Sequence, residues 1–139
     1  MQISCPRLAA ALVLFAIATP AAMAGRTAPI ADVIDAPIVS MSKVPGDLDT
    51  VKGTILMALI KQGWTSQVPG PGVVHAVYQR SENRIEVDIT YDTKSYSIRY
   101  ASSENMRYDP KKGQIHRSYN EWVRALQRSI DMEMLRARS

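Results

Sequence analysis

Seven polar and aromatic residues near the end of the chain form the one constellation whose types and spacing could do chemistry. Tyr100, Ser103, Asn105 and Tyr108 come first, and His116, Tyr119 and Asn120 follow. The first four leave an expected strand, and the last three open an expected helix. Sheet end, loop and helix start should therefore meet at one edge. A helix N-terminus offers free backbone N–H groups and a positive partial charge that attract an anion. With the imidazole and the phenol hydroxyls as donors, such an edge suits a carboxylate, a phosphate or a glycan group. The other reading is structural. Asn105 and Ser103 would satisfy turn backbone, His116 would bond the loop, and the Tyr rings would be core with their hydroxyls at the rim. The structural reading carries more weight, because half-buried polar groups need partners in any case.

Catalytic readings are weaker. Ser102 or Ser103 can be drawn with His116 and Asp109 as a triad, but no nucleophile elbow surrounds either serine. The two histidines, His75 and His116, fall on different elements with no metal-ligand spacing, and no cofactor is implied. His75 reads as a surface or edge histidine. Glu86 and Asp88 lie two apart on a strand, so both face the same way. They would make a glycosidase pair only beneath a cleft, and they read instead as charges paired with Arg99 and lysines.

These residues need elements to position them. Asp47 is an N-cap for a helix over about 48–62, where Leu48, Val51, Ile55 and Leu59 recur at helical spacing, with Met57 and Ala58 widening the stripe. Gly63 followed by Trp64 predicts a Schellman ending that folds the indole back on the last turn. Strands are expected at 64–68, 73–79, 84–91 and 95–102, with Pro69-Gly70-Pro71-Gly72 as a turn. In the third strand Ile85, Val87, Ile89 and Tyr91 alternate with Glu86, Asp88 and Thr90, which buries one face and wets the other. A last helix begins between Gln114 and Tyr119 and runs to about Leu135. Ile115, Tyr119, Trp122, Val123, Leu126, Ile130 and Met134 mark its apolar side, and Ser118 with Glu121 could form a capping box. Met132 and Met134 read as its frayed end, or as a contact for a partner or a membrane surface. The fold class predicted is α+β: a two-layer sandwich of helix, four-stranded antiparallel meander and helix, with an extended N-terminal arm.

The start of the chain points to export. Arg7 precedes an uncharged apolar run, Leu8 to Ala18, and Ala22 and Ala24 supply the small residues that signal peptidase needs. The run is short of the about 20 residues that span a bilayer. The expected division is a signal peptide over 1–24, an arm over 25–46 and a single α+β domain over 47–139, with no transmembrane segment after cleavage. In the arm, 37–41 could add an edge strand, where Pro37 is tolerated. The single cysteine, Cys5, lies ahead of the apolar run. It is misplaced for lipidation and would be lost on cleavage, which leaves no thiol chemistry and no disulfide. The net charge of +4 falls slightly with the loss of Arg7. Such mild basicity suits acidic envelope surfaces and is too weak to argue nucleic-acid binding.

Four segments carry a family likeness. They are Gly63-Trp64 with Pro71-Gly72, Val87-x-Ile89-x-Tyr91, the run Tyr96-Ser97-Ile98-x-Tyr100-x-x-Ser103-x-Asn105-x-x-Tyr108, and Ile115-His116-x-x-Tyr119-Asn120-x-Trp122-Val123-x-x-Leu126. Together they resemble a family of small exported bacterial proteins, many of them lipoproteins. Met106 stands where that family often has Leu, and no lipidation cysteine is present. The resemblance implies export and a compact α+β domain, and implies no chemistry. The functional expectation is a periplasmic, non-catalytic module that binds an envelope protein or another envelope component. The alternative is a small-ligand binder at the 103–120 edge, and a hydrolase ranks third.

Overall fold

The structure, a computed structural model, describes residues 25–39 and 46–137. The expected signal peptide lies outside the described residues. The first helix starts where its cap requires: the Asp47 carboxylate accepts the Thr50 N–H at 2.7 Å. Helix α1 spans Leu48–Lys61 and buries Val51, Thr54, Ile55, Ala58 and Leu59. Leu48 and Met57 of the expected stripe are exposed instead. At its end Gly63 takes φ 79°. The Trp64 N–H reaches the Leu59 carbonyl at 2.9 Å and the Gly63 N–H reaches that of Ile60 at 3.1 Å, the reciprocal pair of a Schellman motif.

A meander follows through β3 (Thr65–Gly70), β4 (Val73–Arg80), β5 (Asn83–Tyr91) and β6 (Ser95–Glu104). Strand β3 contains Pro69, which the sequence places in a turn. The strand lies at the sheet edge, where a missing N–H is tolerated, and its register slips between Gln67 and Gly70. The turn shrinks to Pro71-Gly72, and Gly72 is required there. It takes φ 75°, and a Cβ would lie 3.3 Å from the Tyr91 carbonyl oxygen.

The sheet has five strands rather than four, all antiparallel, in the order β2-β6-β5-β4-β3. The fifth, β2 (Val33–Pro37), comes from the N-terminal arm. It lies earlier than the expected 37–41 segment, of which 40–41 is outside the described residues. Asp35 takes φ 49° and breaks the register between Val33 and Ala36. No period-2 pattern survives such a kink, so the strand was illegible. The arm also forms β1 (Thr27–Pro29), which pairs with β7 (Gln114–His116) in a separate two-stranded sheet.

Helix α2 spans Ser118–Arg136 and begins without a side-chain cap, so the Ser118–Glu121 box does not form. The Ser118 N–H is accepted by Nδ1 of His116 at 3.2 Å. One face of the sheet and the two helices share one buried cluster that includes Ile55, Leu59, Ile85, Val87, Ile89, Ile98, Leu126 and Ile130. The Tyr96 hydroxyl donates to Asp131 at 2.6 Å and ties β6 to α2. Between the helices, Glu133 accepts from Lys61 at 2.6 Å and from Arg136 at 3.0 Å. The Lys61 hydrogen bond is the main cause that holds the Glu133 carboxyl below the usual range. Met134 is buried and Met132 is exposed, so the two methionines do not act as one cluster. The chain has one cysteine and hence no internal disulfide.

Candidate functional site

The structure divides the seven edge residues. Tyr100, Ser103, Tyr108 and Tyr119 meet. The cause is a bulge: Glu86 pairs with Ser102 and Val87 with Tyr100, which leaves Ala101 as the extra residue. Beyond it the alternation of β6 inverts. Ser103 therefore shares the inner face with Tyr100, and their hydroxyls share a hydrogen bond at 2.9 Å. The Tyr100 ring packs on Tyr108 at 4.5 Å and edge-on to Tyr119 at 5.7 Å. Burial pushes the Tyr100 hydroxyl above its usual range, against the Ser103 bond.

The other three serve the scaffold. Asn105 takes φ 57°, a left-handed conformation asparagine accepts more readily than most, and its amide donates to Asn83 at 3.0 Å. The His116 N–H donates to the Met106 carbonyl at 2.7 Å, and its ring accepts the Ser118 N–H. Asn120 holds the arm: Oδ1 accepts the Ala31 N–H at 3.0 Å, and Nδ2 donates to the Pro29 carbonyl at 2.9 Å. His116 and Asn120 thus bind the protein's own backbone, and Asn105 binds the side chain of Asn83. The triad drawn from the sequence does not assemble. Ser102 donates to Glu86, Ser103 bonds Tyr100, and Asp109 accepts from the N–H groups of Lys111 and Lys112.

Tyr119 is the exception within this edge. It is fully buried, and its hydroxyl has no hydrogen-bond partner among the described residues. Burial first, then nearby Asp32 and Tyr100, push its hydroxyl well above the usual range. A hydroxyl without a partner contributes only its desolvation penalty. Tyr119→Phe is therefore expected to leave stability unchanged or raise it by about 1 kcal/mol in urea unfolding. A loss larger than about 1 kcal/mol would mean that the hydroxyl is bound in solution.

A second constellation lies on the outer face of the sheet. His75 on β4 sits between two carboxylates of β5. Its Nδ1 is 2.7 Å from Asp88, and its Nε2 is 3.4 Å from Glu86. Glu86 also accepts from Arg84 and, at 2.8 Å, from Ser102. Those two hydrogen bonds, Ser102 first, hold its carboxyl below the usual glutamate range. Beside the network is a shallow depression of about 220 Å³ lined by Thr65, Ser66, Gln67, His75, Val77, Arg84 and Glu86. Arg99 does not join it and donates to Thr90 at 3.1 Å, which corrects the expected pairing. Ser102 reaches this face only because of the bulge. The part His75 plays was readable in principle, because a tight turn at 81–82 fixes the β4–β5 register and sets His75 opposite Asp88.

This network can present fixed donors and acceptors to a polar partner. It lacks the parts of a nucleophilic site, since both imidazole nitrogens face carboxylates and Ser102 is turned to Glu86. Among the described residues no group of three or more His, Cys, Asp or Glu side chains is placed to hold a metal ion. No helix there is long and apolar enough to cross a membrane. No protein-family model, no curated protein and no solved structure matches the chain.

Proposed function

We propose that the protein is an exported, non-catalytic binding module of the cell envelope, a two-layer sandwich that meets its partner with the open face of its sheet. The observation that carries this reading is the network of Arg84, Glu86, His75, Asp88 and Ser102 beside a shallow depression. Its side chains are held in place before any partner arrives, which lowers the entropy lost on binding. A shallow, polar, preorganised surface suits another macromolecule better than a small substrate, which needs enclosure. Export to the periplasm rests on the pattern of residues 1–24, and Cys5 ahead of the apolar run argues for release without a lipid anchor.

Photo-crosslinking in intact cells tests the surface. Gln67→p-benzoylphenylalanine, at the rim of the depression, is expected to give a discrete adduct. The same substitution at Lys111, on a distant loop, is expected to give none. Adding Arg84→Ala and His75→Ala to the Gln67 variant should remove the adduct. Equal adducts at both positions, or none at Gln67, would refute the sheet face as the contact.

A further inference from the structure

We propose that the outer side of the helix pair is a docking surface for an anionic lipid bilayer. Three large apolar side chains stand exposed on it: Met57 at 47%, Ile60 at 68% and Met132 at 51%. Methionine packs against irregular and fluid surfaces because its side chain is unbranched and polarizable. Two shallow depressions run along the helix pair. One is lined by Lys61, Arg128, Ser129 and Met132 among others, and the other by Gly53, Thr54 and Met57. They share Glu133 and Arg136 and so form one furrow with apolar rims.

Two cations on this side have no ion-pair partner among the described residues. Arg124, Arg128 and Met132 lie four apart and make one ridge along α2. Both arginines are exposed, and no described residue forms an ion pair with either. Lys61 also stands at the furrow, its side chain 45% exposed and paired with Glu133. Two of the nearby carboxylates are paired with cations. Glu133 takes Lys61 and Arg136, Asp131 takes the Tyr96 hydroxyl, and Asp49 takes Lys52. Glu121, in the first turn of α2, and Asp131 are the acids without a cationic partner among the described residues. Cations around exposed apolar side chains, on helices lying side by side, are the chemistry that a headgroup layer with phosphate charge recognises. A second protein would need a shape to fit, and the furrow is shallow and offers little. Docked this way, the protein would turn its sheet face and the His75 network away from the bilayer.

Vesicle co-sedimentation tests the proposal with protein as recovered from cells. Binding is expected to vesicles containing phosphatidylglycerol and not to phosphatidylcholine alone, and it should weaken as salt is raised. The double variant Arg124→Gln, Arg128→Gln should bind roughly 30-fold more weakly, from about 1 kcal/mol per basic residue near the surface. Met132→Asp should bind weakly as well, whereas Arg99→Gln, on the sheet face, should bind as the parent does. Circular dichroism would confirm that each variant is folded, and the salt titration needs no variant. Equal binding to both vesicle types, binding to neither, or an unaffected double variant would each overturn the proposal. So would a dimer that Met132→Asp dissociates in the absence of lipid, since that would assign the face to a second copy. None of these outcomes bears on the crosslink at Gln67.

Discussion

Replacing Asn120 with alanine is expected to free the N-terminal arm and to lower stability by about 2–4 kcal/mol. One side chain makes both contacts, accepting from Ala31 and donating to Pro29. Asn120 is itself only 7% exposed, so truncation leaves an amide N–H and a carbonyl half-buried without partners. Each such group costs about 1–3 kcal/mol unless it reaches water. It reaches water only if the arm lifts, and then the pairing of β1 with β7 is lost as well. Asn120→Asp separates the two bonds, because it keeps the acceptor for Ala31 and sets a carboxylate against the Pro29 carbonyl. It should be at least as damaging as alanine. Urea unfolding gives the energy, and amide exchange at Ile30 and Ala31 reports the release. Parental stability and slow exchange in the alanine variant would show that the strands hold the arm unaided.

Trp64→Ala is expected to cost more, about 3–5 kcal/mol. The indole is 5% exposed and stands at the joint between α1 and β3. Its ring packs on Tyr78 at 5.2 Å, and Tyr78 meets Trp122 edge-on at 5.0 Å. This row of three rings links the end of α1, the middle of β4 and the first half of α2. Removing its most buried member leaves a cavity that rigid strands fill poorly. Trp122 is only partly buried, so Trp122→Ala should cost clearly less, although both tryptophans read alike as packing residues in the sequence. The comparison is made by denaturant unfolding with near-ultraviolet circular dichroism to follow the rings. Equal losses for the two variants would contradict the burial described.

Local rules explain which parts of the fold could be read from sequence. The Asp47 cap, the Gly63-Trp64 ending and the four meander strands each depend on residues close together, and each stands where its residues require. The fifth strand depends on β6, more than fifty residues away, and its own residues are kinked at Asp35. Nothing near it in sequence announces a partner. The candidate edge shows the same limit. Tyr100 and Ser103 meet as expected, but through a bulge at Ala101 that no residue type signals. Asn120 and His116 read in the sequence as polar groups that need partners. The chain's own backbone was the answer, and only tertiary placement could supply it. His75 was missed because a histidine on a strand carries no information until the register sets it across from Asp88.

The arm's pairing also fixes an order of assembly. The hairpins of the meander close turns of two or three residues, so β3 to β6 can form early and locally. The arm is made first, yet its partners fall within residues 94–100 and 113–120. It must wait for most of the chain and then close loops of 56 (Ile38 to Lys94) to 91 residues. Long loops slow folding more than they lower stability. The arm is therefore expected to dock last and to leave first. When it leaves, the edge of β6 is bare, and the strand that fits it best belongs to another copy of the same chain. Strand exchange between molecules is the misfolding route this topology leaves open.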